Sequence, residues 1–220
     1  VHGINNVLGR AEMKAAHPEY YAIWNGVRMN GADFKPDLCS EGLFAEHVEY
    51  VKAMFDIYDT PVISAMPSDG FTSASESSLE CEARETPERG STGVLSDYVW
   101  EYVNNLAWEI YDDPDYAGKK IISSAYSTYL LPPLNLSRPV APNLIVFISN
   151  GRGVFADQAA RQAQHDLVNQ WLAFLPSHQL YSYDYYLANR PGNLTQAVPS
   201  YFPHAISDDL KFLKGKSSGE

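Results

Sequence analysis

The chain has 220 residues, 45% of them hydrophobic and 20% charged, enough apolar material to bury a substantial core. Sixteen Lys and Arg against 27 Asp and Glu leave a net charge of −11, which repels the phosphate backbone of a nucleic acid, and no local basic stripe offsets it. The longest apolar runs, such as Leu144 to Ile148, fall well short of the roughly 20 residues that span a bilayer, so no membrane insertion is expected.

The chain opens at Val1 without an initiator Met or an apolar leader, and Val1 to Asn6 reads as the exit from a strand. His17 precedes Pro18, which disfavours helix at that point. Phe44, Val48, Val51 and Phe55 then repeat at helical spacing, and Pro61 to Met66 reads as a strand buried on both faces. A long loop, Ser68 to Thr92, follows. Its acidic run Glu76, Glu80, Glu82, Glu85 and Glu88 lacks the alternating Asp/Asn-Gly order of a calcium loop and reads as solvated.

Leu95, Val99, Tyr102, Leu106 and Ile110 mark a second helix, and Lys120 to Tyr126 a second strand. The connection from Tyr126 to Asn143 carries Pro132, Pro133, Pro139 and Pro142, so it is expected to be extended where a crossover helix would normally lie. Leu144 to Ser149 reads as the third strand. Ala156 to Leu175, with Leu167, Trp171 and Phe174 on one stripe and His165 on a solvated face, reads as the third helix. Gln179 to Tyr183 reads as a fourth strand, Ser207 as the N-cap of a short helix, and Lys216 to Glu220 as the edge of a further strand.

Alternating parallel strands and helices argue for an α/β fold, specifically part of a (β/α)8 TIM-type barrel. Residues 1–220 would then be a single barrel domain and a fragment of a longer polypeptide, since a full barrel takes about 250 residues. A flavodoxin-like open sheet is the competing architecture.

In either fold, function collects at the carboxyl ends of the strands. Those ends hold Asp69, Tyr126, Asn150, Arg152, Tyr183, Asp184 and Tyr185. Asn, Asp and Arg suit sugar hydroxyls, and aromatic rings suit sugar C–H faces, so a carbohydrate is the expected ligand. Asp69 precedes Gly70 and could equally be a turn residue, and Asp184 could be a hydrogen-bonded structural carboxylate. Asp157 could simply favour a helix N-terminus. Cys39 and Cys81 are too few for a disulfide framework and lack zinc-site spacing. Asn135-Leu136-Ser137 and Asn193-Leu194-Thr195 match the glycosylation acceptor pattern. Phosphate-binding and serine-hydrolase motifs are absent, and no organic cofactor or metal is expected.

His17-Pro18-Glu19-Tyr20-Tyr21-Ala22, Asn25-Gly26-Val27-Arg28, Leu38-Cys39, Ser68-Asp69-Gly70, Cys81-Glu82 and Ala125-Tyr126, in that order, resemble the bacterial domain of unknown function 4838. That family is similar to alpha-glucuronidase-type glycoside hydrolases with a (β/α)8 barrel. The resemblance implies a glycoside hydrolase acting on an oligosaccharide or polysaccharide, located outside the cell or in the periplasm. It implies Asp69 as general acid, and Asp184 assisted by Asp157 as the base that activates water. Asp stands where relatives carry Glu at two of these three positions, and the cysteine cluster of relatives is reduced around Cys81, so its metal or disulfide role is expected to be lost. The alternatives are a catalytically silent sugar-binding barrel and a structural domain of a surface assembly. Two short carboxyls on separate strands favour the wide spacing of an inverting enzyme. Met66 and Phe71 are expected to supply apolar surroundings that keep Asp69 protonated.

Overall fold

The first turns of the chain are helical rather than strand-like. In the computed structural model, which describes residues 3–150, 157–175, 180–184 and 203–219, α1 spans Gly3–Leu8 and buries Ile4, Val7 and Leu8 completely. A Cβ on Gly3 would lie 1.9 Å from the Ser64 carbonyl oxygen, so only glycine allows this approach. Helix α2 (Ala11–Ala16) ends at His17, whose φ of −129° and ψ of 61° are not helical, as its place before proline requires.

Strands β1 (Ile23–Trp24) and β2 (Val27–Arg28) form a hairpin closed by Asn25-Gly26, with φ of 51° and 69°. Asn and Gly tolerate the positive φ that a two-residue turn demands. Helix α3 (Glu41–Tyr58) starts where the Ser40 side chain accepts from the Leu43 amide, and it buries Leu43, Val48, Val51 and Phe55. Strand β3 (Val62–Ser64) follows, then α4 (Leu79–Glu82) within the long loop, α5 (Ser96–Tyr111), and β4 (Lys120–Ala125). β3 pairs with β4 in parallel, Val62 opposite Lys120 and Ser64 opposite Ile122. All three β3 residues are only half-buried, whereas β4 buries Ile121 and Ser123 to Ala125.

The stripe Leu95, Val99, Tyr102, Leu106 and Ile110 is at most 4% exposed, as its helical spacing requires. On another face α5 carries Asp97, Glu101, Asn104 and Trp108, again at helical spacing, and these explain the missing crossover helix. Asp97 accepts from the Leu134 amide at 2.7 Å and Glu101 from the Ser137 amide at 2.9 Å. Asn104 accepts from the Ala141 amide at 2.8 Å, and Trp108 donates to the Pro139 carbonyl at 2.7 Å. The proline-rich connection thus finds on a helix side chain the partners that its own secondary structure does not supply. Asn135 of the first acceptor pattern is held here too, its amide donating to Asp97.

The chain divides into two units, Val1–Ile145 and Val146–Glu220. The second takes most of β5 (Leu144–Asn150), then α6 (Gln158–Phe174), β6 (Leu180–Asp184) and α7 (Pro203–Leu213). β5 and β6 are parallel, with Val146 opposite Leu180 and Asn150 opposite Asp184. Ser207 lies inside α7 rather than capping it. The helix opens four residues earlier at Pro203, a residue suited to the first helical position. His165 also departs from expectation. Its ring stacks on Phe212 at 3.8 Å, and its Nε2 lies 3.1 Å from the fully buried Asp209 carboxylate, so it joins α6 to α7 rather than facing solvent. The closing segment does pair as a strand edge, since Gly219 bridges Tyr181 and the Ser218 amide donates to the Leu180 carbonyl. The architecture is mixed α/β with parallel strands. Among the described residues no helix is long and apolar enough to cross a membrane.

Candidate functional site

In the first unit, β3 runs into the buried residues Ala65, Met66 and Ser68, and the chain surfaces at Asp69. Gly70 turns with φ of 73°, in the region that favours glycine. A Cβ there would sit 3.7 Å from Lys35 Nζ, so the ammonium of a lysine only 2% exposed lies against this turn, paired with Asp33. Past β4, Tyr126 is 36% exposed and Ser127 turns with φ of 49°. Thr128 Oγ1 then donates to the Phe71 carbonyl at 2.8 Å, tying the two strand-end loops together.

Behind this rim stand buried polar groups that have no hydrogen-bond partner among the described residues: Ser68 Oγ, Trp24 Nε1 and Tyr129 Oη. Burial, with a contribution from the Asp69 charge, pushes the Tyr129 phenol upward, so it is a hydrogen-bond donor at any physiological pH. Its ring meets that of Tyr126 edge-on at 6.4 Å. Sequence reasoning passed over Lys35 and Trp24, because nothing local marks residues that reach a strand end from elsewhere in the fold. Asp69 is exposed while Met66 and Phe71 are buried, so the apolar enclosure expected of those two side chains is not provided by burial.

In the second unit, Asn150 and Asp184 are opposite residues at the carboxyl ends of β5 and β6. The Ser182 hydroxyl donates to the half-buried Asp184 carboxylate. Tyr183 is 53% exposed, with its ring edge-on to Phe147. Asp157 is the N-cap of α6, accepting from the Ala159 and Ala160 amides at 2.9 and 3.1 Å. Arg152 and Tyr185, and the acceptor Asn193, lie outside the described residues.

Two expectations about the long loop are corrected. Cys39 and Cys81 are joined as a disulfide, with a Cα–Cα distance of 6.0 Å, because the fold brings together two residues 42 apart in sequence. Glu76 is not merely solvated. Its two carboxylate oxygens accept from the Asn25 and Gly26 amides at 2.6 and 2.8 Å and clamp the hairpin turn. Glu85 likewise accepts from the Ala74 amide at 2.7 Å, whereas Glu80, Glu82 and Glu88 are exposed as expected.

Beside the disulfide lies a cavity of about 580 Å³ lined by residues such as Phe44, Arg84, Glu101, Tyr102 and Arg138. Glu101 is built into the fold there. Although burial opposes it, hydrogen bonds from Ser137 and Asn105 hold its carboxyl below the usual range.

No curated protein and no solved structure matches the chain. A family does, described as a domain of unknown function (DUF4838), over residues 1–218. With that match spanning nearly the whole sequence, the chain belongs to the DUF4838 family.

Proposed function

We propose that this chain is part of a (β/α)8 barrel that hydrolyses a glycosidic bond in an oligosaccharide or polysaccharide. The observation that carries the reading is the chemistry at the ends of the parallel strands: a carboxylate and an exposed tyrosine beyond β3 and β4, and an Asn, a Tyr and a carboxylate at the ends of β5 and β6. Glycoside hydrolysis needs two carboxyl groups flanking the bond, with hydrogen-bonding side chains and aromatic surfaces to hold the sugar. In this reading Asp69 is the general acid and Asp184 the base. Tyr126, Asn150, Arg152, Tyr183 and Tyr185 contact the sugar. Asp157 assists the base from its capping position, and no organic cofactor takes part. The Cys39–Cys81 disulfide supports an extracellular or periplasmic location, since such bonds persist in oxidising compartments.

Reducing-sugar release from a panel of plant and algal glycans tests the activity, with Asp69→Asn and Asp184→Asn as controls. Loss of turnover in both variants, and an inverted anomeric product from the wild-type chain, are the expected results. Full turnover in either variant overturns the assignment of that carboxylate. The exposure of Asp69 favours a second reading, a catalytically silent sugar-binding barrel. Calorimetric binding of a glycan that the wild-type chain does not cleave selects that reading.

A further inference from the structure

Asp37 is 2% exposed, and no cationic side chain pairs with it among the described residues. Its Oδ1 accepts from the Cys39 amide at 3.0 Å and its Oδ2 from the Ser75 hydroxyl at 2.9 Å. Ser75 is itself fully buried and accepts from the Ile23 amide at 3.1 Å. The carboxylate is thus aimed by a buried hydrogen-bond chain. Cys81 Sγ lies 3.9 Å from Oδ1, and a carboxylate oxygen of Asp37 and the two sulfurs of Cys39 and Cys81 all fall within 4.8 Å of one another. Cys81 is 1% exposed, Cys39 is half-buried, and both line the 580 Å³ cavity.

We infer that Asp37, Cys39 and Cys81 form a redox-gated site that holds one thiophilic divalent cation, such as Zn²⁺, when the disulfide is reduced. A dithiol or phosphine reductant supplies two electrons to the S–S bond, and two protons complete the two thiols. Binding the cation then releases those protons, leaving two thiolates and the carboxylate as ligands. In the oxidised state the sulfurs are bonded to each other and the site does not exist.

Three arguments favour a metal over two idle thiols. A buried carboxylate beside two thiols disfavours either thiolate, and a bound divalent cation offsets two of the three negative charges that the ligands would otherwise hold unpaired. The hydrogen bonds from Cys39 N and Ser75 Oγ orient the carboxylate as outer-shell partners orient metal ligands. The cavity that Cys39 and Cys81 line leaves space for a fourth ligand beside the two sulfurs. Two sulfurs with one oxygen select Zn²⁺ or Co²⁺ over Ca²⁺ or Mg²⁺, which take oxygen alone. Zinc–sulfur distances of ~2.3 Å place the two sulfurs ~3.7 Å apart, which side-chain rotation at a Cα–Cα distance of 6.0 Å accommodates.

The full chain, reduced with a phosphine and freed of metal by a chelator, is titrated with Co²⁺ under argon. The expected result is a sulfur-to-cobalt charge-transfer band that Zn²⁺ displaces, absent from the oxidised chain and from Cys39→Ser. Asp37→Asn weakens Co²⁺ binding by about tenfold or more. A reduced chain that keeps its native circular dichroism yet shows no such band overturns the inference, as does unchanged affinity in Asp37→Asn. If reduction unfolds the chain, recovery of the native spectrum with one equivalent of Zn²⁺ supports the site. Failure to recover overturns it.

Discussion

Replacing both cysteines, Cys39→Ala with Cys81→Ala, removes a cross-link that closes 42 residues of chain. Those residues include α3, β3 and the Ser68–Gly70 strand end. The chain-entropy relation for a loop of that size gives a stabilisation of about 4 kcal/mol, exerted on the unfolded ensemble. The lost side-chain packing is small beside it, since each change removes one sulfur atom. The expected outcome is a destabilisation of about 4 kcal/mol, or a midpoint lower by about 8–16 °C for a chain of this size. Guanidinium unfolding in a Trp171→Phe background measures it cleanly, because Trp24, Trp100 and Trp108 all belong to the first unit. The denaturant slope should also rise, as an unlinked chain exposes more surface. A loss below about 1 kcal/mol with an unchanged slope would refute the reasoning, because it would mean that the cross-link constrains no significant part of the unfolded ensemble.

His47 is fully buried between α3 and α5, 3.0 Å from the Tyr102 hydroxyl, and burial lowers its pKa to about 4. The unfolded imidazole titrates near 6.5, so the stability that rests on neutral His47 is fully present above pH ~6.5 and is lost as pH falls towards 4, about 3 kcal/mol in all. His47→Gln should flatten the stability profile in that window, and an unchanged slope in denaturation from pH 7 to 4 would contradict this. Asp157→Ala removes the cap of α6 and should cost about 1 kcal/mol. Hydrogen exchange in the first turn of α6 checks it, with unchanged protection as the contrary result. Gly3→Ala should displace α1 from the end of β3, because the new Cβ meets a backbone oxygen at 1.9 Å. Loss of amide protection across Ile4 to Leu8 reads this out, and a fully protected α1 argues against it.

The period of apolar residues determined α3 and α5, the two long helices of the first unit, because Val48, Val51 and Phe55, like Leu95, Val99 and Leu106, must face one way at 3.6 residues per turn. Short runs of apolar and small residues determined the four strands to within two residues at either end, and the prolines determined the extended connection after β4. These features rest on local rules that hold before any long-range contact forms. The carboxyl-end residues of β3 to β6 were legible for the same reason, since they follow from where each strand stops. Only the tertiary structure decided what reaches those ends from a distance: Lys35 against Gly70, Trp24 behind Phe71, Cys39 on Cys81, Glu76 on the hairpin turn. It also made α1 a helix, since a six-residue segment carries too little periodicity to declare itself, and it turned His165 inward to Asp209. Such pairings depend on which surfaces the packed elements present to one another, and a property of separated residues leaves no pattern along the chain.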